Sequence, residues 1–183
     1  MRQEVLLAGF GGQGIISTAI LIASAIGKYE GKYVAQAQSY GPEARGGACK
    51  SEVVIDEEEI DYIKTLNPDI FIVMSQPALD KYISRIDPEH GVIIADSSLI
   101  KSIPEQYKNV YMVPVTDIAE QKLGARIVAN VVILGCFARI SGYVKPENCE
   151  KAIVDNMAAK FHELNKNAFH EGYDYVDAML KQE

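Results

Sequence analysis

"LLAGFGGQGIISTA", residues 6–19, packs four glycines into six positions, between an apolar run and a segment with helical periodicity. Residues 4–9 (EVLLAG) have the length and continuous apolarity of a buried strand, and residues 15–28 predict a helix with a strong apolar face that stops near Gly27 and Gly31. Strand, glycine turn and helix in that order open an α/β fold. Gly9, Gly11 and Gly14 fit the G-x-G-x-x-G spacing, with Gly12 and Gln13 completing the loop. Glycines at such positions permit a tight turn and let a phosphate approach the free N–H groups of a helix N-terminus. The loop is therefore a candidate binding site as well as a turn.

The pattern continues as alternating elements. Residues 33–39 (YVAQAQS) read as extended, residues 40–47 as a loop, and residues 48–55 (ACKSEVVI) as a half-exposed strand. Asp56 with Glu59 forms a capping box, and Ile55 with Ile60 a hydrophobic staple, so a helix is expected to start there, with the acids serving the helix dipole rather than a metal. Residues 69–75 (DIFIVMS) predict a buried strand, 78–86 a helix, 92–95 (VIIA) a strand, and 110–115 (VYMVPV) a strand that Pro114 marks as an edge. Asp117 and Glu120 suggest a second capping box for a short helix.

Residues 125–140 form an apolar helix that must be covered on most sides, with Gly142 as its stop. Pro146 then opens one or two helices reaching about residue 180, with a thinner apolar stripe of Ile153, Met157, Phe161 and Leu164. The alternation predicts an α/β fold: a Rossmann-like, mostly parallel sheet with helices on both faces and a helical C-terminus. No repeat or linker divides the chain, so one domain over residues 1–183 is expected.

With 18 basic against 25 acidic residues the net charge is -7, and no basic block is present, which argues against a nucleic-acid partner. The most apolar stretch, residues 127–138, is interrupted by Asn130 and falls well short of the roughly 20 residues of a membrane span. The start, Met1-Arg2-Gln3-Glu4, lacks the pattern of a signal peptide, so a cytoplasmic location is expected. Cys49, Cys136 and Cys149, and His90, His162 and His170, have none of the spacings of a disulfide framework, a zinc site or an iron-sulfur cluster. No metal on this chain and three reduced thiols are expected.

A nicotinamide cofactor would require an acid at the end of the second strand to hold the ribose. Gln36-Ala37-Gln38-Ser39 offers none, and no basic cluster there suits a 2'-phosphate. Functional groups in open α/β sheets collect beyond the carboxyl ends of the strands. Those ends supply Gln13, Ser39, Tyr40, Ser75, Gln76, Asp96, Ser97 and Ser98, which hydrogen-bond but contain no nucleophile and base pair, and the Asp96 group reads as solvated loop end. No catalytic residue is expected on this chain.

"SYGPEARGGACKSEVVI", residues 39–55, is the more specific stretch. Gly41-Pro42 begins a turn, and Gly46 and Gly47 after Arg45 let the backbone come close to something. On its own it is a surface loop whose Arg45 either pairs with Glu43 or another acid, or is free to bind a carboxylate or phosphate. Ser39, Tyr40, Arg45, Gly46 and Gly47 thus join Gly9, Gly11, Gly12, Gln13 and Gly14 as candidate binding residues.

Taken together, the Gly9-to-Gly14 turn, the Ser39-to-Gly47 loop about 25 residues later and the Lys160-Phe161-His162-Glu163-Leu164-Asn165 helix resemble the gamma subunit of 2-oxoacid:ferredoxin oxidoreductases over essentially the full chain. The SYGPEARGG loop is similar to that of the separate gamma subunit of the 2-oxoglutarate type. The resemblance implies a multisubunit enzyme that decarboxylates a 2-oxoacid, transfers the acyl group to coenzyme A and passes two electrons to ferredoxin. It implies thiamine diphosphate and Mg on alpha and beta subunits, and iron-sulfur clusters on a ferredoxin-like delta subunit or in beta. This chain has neither cluster-spaced cysteines nor a G-D-G…N motif, consistent with that division. Its own implied part is assembly surface, with the apolar 125–140 helix touching alpha and beta, and coenzyme A contacts from the glycine turn and Arg45. Two other readings stand beside it: a free-standing Rossmann-type reductase using NAD(P) or a flavin, and a noncatalytic homodimeric scaffold, the isolated chain being able to self-associate through the surface its partners cover.

Overall fold

The computed structural model describes residues 1–39 and 48–182. Its six strands are β1 (Gln3–Phe10), β2 (Tyr33–Ser39), β3 (Ala48–Asp56), β4 (Ile70–Val73), β5 (Val92–Asp96) and β6 (Asn109–Val113). They form one sheet in the order β2-β3-β1-β4-β5-β6. β1, β4, β5 and β6 run parallel, while β3 is antiparallel to both its neighbours, β2 and β1. The expected α/β architecture with a mostly parallel sheet is therefore present, with one reversed strand inside it.

Alternation along the strands divides the core into two layers. Val5 and Leu7 of β1, with Ile72 and Ile94, face a layer built from α1 (Ile15–Tyr29), α4 (Ala129–Ser141), α5 (Pro146–Asn156) and α6 (His162–Leu180). Leu6 and Ala8, with Phe71 and Val73, face a layer that includes α2 (Gln76–Tyr82). The short α3 (Val115–Asp117) follows edge strand β6, as Pro114 at the strand's end suggested.

Three local expectations fail. β3 is fully buried from Ser51 to Ile55 rather than half exposed, because β2 pairs along its far side and makes it an interior strand. No helix follows Asp56: residues 57–69 run without regular secondary structure. The Asp56 carboxylate accepts from the Glu57 N–H and pairs with the Met1 ammonium at 3.4 Å, while Arg2, just before β1, and Glu4, in it, take hold of the following backbone. Arg2 donates to the carbonyls of Tyr62 and Lys64, and Glu4 accepts from the N–H groups of Leu66 and Asn67. Asp117, finally, lies inside α3 and caps nothing; the next turn, from Ile118 to Lys122, is wound as a π-helix.

The apolar segment at residues 125–140 is a turn followed by α4, which ends at Gly142 in the left-handed region, and every residue from Ala129 to Ala138 is buried. Its cover is its own chain, as its composition required, so its buried stretch is not the contact surface for alpha and beta that the resemblance implied. Gly135 and Gly172 let α4 and α6 cross backbone to backbone: a Cβ on Gly172 would collide with the Val132 carbonyl, and one on Gly135 with the Phe169 carbonyl. No helix among the described residues is long and apolar enough to cross a membrane.

Candidate binding pocket at the glycine turn

β1 ends at Phe10, and the chain turns through residues 11–14 into α1. Gln13 staples this turn. Its carboxamide oxygen accepts from the Phe10 N–H at 2.6 Å and its nitrogen donates to the Met74 carbonyl at 2.8 Å, joining the ends of β1 and β4. Gln13 therefore spends its polar atoms on the backbone beneath the loop, and Gly9 lies buried at the strand end under it.

Gly14 is the N-cap of α1 at φ +77°, with no side-chain cap and no acid in the first turn of the helix. The opening N–H groups of a helix have no partner within the helix and carry its positive end. Thr18, one turn on, donates to the carbonyls of Gly14 and Asn130, which fastens the start of α1 to the start of α4. A Cβ on Gly14 would sit 2.7 Å from the Asn130 side chain, whereas one on Gly12, at φ +91°, would meet nothing within 4 Å. Gly12→Ala should therefore cost only left-handed strain, about 1–2 kcal/mol. Gly14→Ala adds the collision and should lose clearly more in urea unfolding; equal losses would mean that Asn130 yields freely.

Over this turn opens a pocket of about 760 Å³. Its base is Gly11, Gly12, Gly14 and the first turn of α1 through Ser17; one side is Ser39, Ala48 and Cys49, where β2 ends and β3 begins. The opposite wall comes from Ile127, Val128 and Asn130 before and in α4, and from Met157, Ala158, Phe161, Leu164 and Asn165 around the start of α6. Of the stripe Ile153, Met157, Phe161 and Leu164 read from the sequence, Ile153 is buried in the core as expected; Met157, Phe161 and Leu164, split between the α5–α6 connection and α6, line this pocket, with Met157 and Leu164 also packed against the core. Phe10, Ile127 and Phe161 stand exposed at the rim, Ile127 at 81%.

No side chain among the described lining residues is charged. Asn130, only 6% exposed, has its carboxamide beside Gly14 with no hydrogen-bond partner among the described residues. Asn165 donates to the Phe161 carbonyl. Burial raises the Cys49 thiol above its ordinary range, so at neutral pH it is a thiol and not a thiolate nucleophile. The arrangement can hold an electron-rich group by backbone N–H and an uncharged body by apolar contact; among the described residues lining it there is no nucleophile and base pair.

Of the candidate binding residues, Gly11, Gly12, Gly14 and Ser39 line this pocket, and Gly9 and Gln13 support it from below. Tyr40, Arg45, Gly46 and Gly47 lie outside the described residues. Elsewhere, Asp96 is not a solvated loop end. It is fully buried, accepting from the Thr116 hydroxyl and N–H and from the Ser98 N–H, which ties the end of β5 to α3. Ser75 caps α2 through the Ala78 N–H. Among the described residues no group of three or more His, Cys, Asp or Glu could hold a metal ion. Cys136 and Cys149 are buried thiols, and burial pushes Cys149 up to about 12.

The reversed strand bears on the dinucleotide reading. In a nucleotide-binding βαβ unit the strand after the helix returns parallel beside the first, and its end presents the ribose-binding acid. Here antiparallel β3 occupies that place beside β1, and the parallel neighbour on the other side, β4, is followed by Met74 and Ser75. Among the described residues no acid stands at the end of β4 to hold a ribose.

A family model described as pyruvate ferredoxin/flavodoxin oxidoreductase matches residues 4–175. The chain belongs to that family. Among relatives of the pyruvate ferredoxin/flavodoxin oxidoreductase family, 2-oxoglutarate synthase subunit KorC of Methanocaldococcus jannaschii is 46% identical over 95% of this chain and 94% of its own. The gamma subunit of a keto/oxoacid ferredoxin oxidoreductase from Geobacter sulfurreducens superposes with a TM-score of 0.86 at 37% identity, covering 96% of this chain and 99% of that one. The 2-oxoglutarate:ferredoxin oxidoreductase of Magnetococcus marinus, solved with 2-oxoglutarate, coenzyme A and succinyl-CoA bound, superposes with a TM-score of 0.85 over 97% of this chain and 31% of that longer one. At 21% identity that last likeness is one of fold. The resemblance read from the glycine turn and the SYGPEARGG loop is thus correct: this is a gamma-type subunit of an oxidoreductase family.

Proposed function

We propose that this chain is the gamma subunit, a single domain, of a cytoplasmic 2-oxoglutarate:ferredoxin oxidoreductase that converts 2-oxoglutarate and coenzyme A to succinyl-CoA and CO2 while reducing ferredoxin. The end-to-end match to the 2-oxoglutarate synthase subunit carries this reading. Alpha and beta subunits, with a ferredoxin-like delta subunit, complete the assembly. Thiamine diphosphate with Mg supplies the carbanion chemistry in such enzymes and iron-sulfur clusters carry the electrons. The described residues here do not fit those groups, having no metal-holding cluster and three separated cysteines, so no step is assigned to them on this chain.

The part assigned to this chain is to bind and orient. The N–H groups of Gly11, Gly12 and Gly14 and of the first turn of α1 donate to an electron-rich group of coenzyme A, and the apolar wall excludes water around its uncharged arm. Ser39, Tyr40, Arg45, Gly46 and Gly47 complete the contact, Arg45 toward phosphate.

The test is to isolate the tagged chain anaerobically with its co-purifying subunits and assay coenzyme A-dependent viologen reduction with several 2-oxoacids. Activity with alpha and beta present and a preference for 2-oxoglutarate is the expected outcome; a preference for pyruvate would reassign the substrate. In the assembled enzyme Arg45→Ala should raise the apparent KM for coenzyme A about tenfold or more, and an unchanged KM would end the contact assignment.

A further inference from the structure

The loop between β3 and β4 presents an unusual combination. Tyr62, Ile63 and Leu66 are 50%, 50% and 62% exposed. Their backbone is nevertheless held firmly: Arg2 grips the carbonyls of Tyr62 and Lys64 at 2.9 and 2.8 Å, and Glu4 takes the N–H groups of Leu66 and Asn67 at 2.6 and 2.8 Å. Thr65 between them is buried, its hydroxyl donating to Glu52 and its carbonyl accepting from Arg85. Three large apolar side chains are thus displayed to solvent on a loop already fixed in one shape. A surface that is rigid before it is covered loses little entropy on binding, which is how interface anchors work.

The charge beside these anchors selects the partner. Glu57, Glu58, Glu59 and Asp61 are all exposed on the approach to them, against Lys64 and the Met1 ammonium, which pairs with Asp56 and Glu57 and leaves Glu58, Glu59 and Asp61 as the acidic excess. A second copy of this chain or an acidic protein would meet like charge there, while a basic-rimmed surface would meet its complement. The loop lies before β4, at the opposite end of the parallel strands from the glycine turn, so it is separate from the pocket.

We infer that the loop at residues 57–66 is a docking surface for a partner subunit that offers an apolar hollow rimmed by Lys or Arg. This rests on the reading of the chain as a subunit of a complex. Two variants of the full chain test it in the reconstituted complex: Tyr62→Ser/Ile63→Ser/Leu66→Ser, and Glu58→Lys/Glu59→Lys/Asp61→Lys, all at exposed positions, each checked for an unchanged melting temperature before assembly is read. The first should weaken assembly at least about tenfold; the second should weaken it in low salt and lose most of that effect at high salt. Carbodiimide cross-linking of the wild-type complex should join Glu58, Glu59 or Asp61 to lysines of another subunit. Unchanged assembly by the charge variant at low salt, or cross-links only between copies of this chain, would overturn the inference. Failure of the wild-type chain to assemble at all would instead strike at the subunit reading.

Discussion

Gly172→Ala is expected to cost this protein about 3 kcal/mol or more, and to lower its melting temperature by about 10 °C. The added methyl would be driven into the Val132 carbonyl on α4, a backbone atom that cannot swing aside as a side-chain end can. Relief requires α6 to lift from α4, and α4 is buried along ten consecutive residues, from Ala129 to Ala138. Gly27→Ala provides the matched control. Gly27 is an exposed residue of α1 whose Cβ would make an ordinary contact at 3.6 Å with Val34, so the same substitution should stabilise by about 0.5–1 kcal/mol through helix propensity alone. Urea denaturation of the two variants reads both signs. Equal midpoints would show that the helices can part at no cost and that the crossing is misplaced.

Glu52→Ala should remove about 2–3 kcal/mol at neutral pH, below the cost of breaking a fully buried pair because Arg85 retains some access to water. Glu52 sits on β3 with its side chain 7% exposed, accepting from Thr65 at 2.6 Å and Arg85 at 2.9 Å, with Lys50 at 3.3 Å. Burial pushes its carboxyl up, but those hydrogen bonds and cations outweigh burial and hold it below the ordinary carboxylate range. A depressed pKa contributes stability that is complete above the unfolded value, about 4.3, and is lost as pH falls through the folded one. The gap between wild type and variant should accordingly be constant from pH 8 to about pH 5 and narrow below about pH 4. A gap that widened on acidification would refute the assignment.

The strand, turn and helix at residues 3–29 could be read directly because everything that forms them is local: an apolar run, glycines at a forced turn, and a helical stripe. The capping box at Asp56 carried an equally good local signal and was wrong. Its outcome was settled by Arg2 and Glu4, more than fifty residues earlier, whose grip on the loop is invisible to any short window. Likewise the alternation of ACKSEVVI correctly gave β3 as a strand, but its burial depended on which strand lay beyond it. The binding pocket was half legible. The glycine turn declared itself, but the wall of Met157, Phe161 and Leu164 looked like a helix's inward stripe, and Asn130 looked like a mere interruption of apolarity. Only the packing of α4 against α1 and α6 shows that these residues share a pocket with Gly14.

The antiparallel pairing of β2 with β3 has a bearing on how members of such a family diverge. Ser39 is paired with Lys50, so the points where residues 40–47 leave and rejoin the sheet are set side by side by a ladder that extends back to Tyr33 and Asp56. A segment whose two ends are fixed independently of its own sequence is an exchangeable cassette. Changing its length alters closure entropy only logarithmically, and rewriting it leaves every strand in register. Substitution, insertion or grafting in those eight residues need not disturb the pairing of β2 with β3, and a protein engineer could use the same joint.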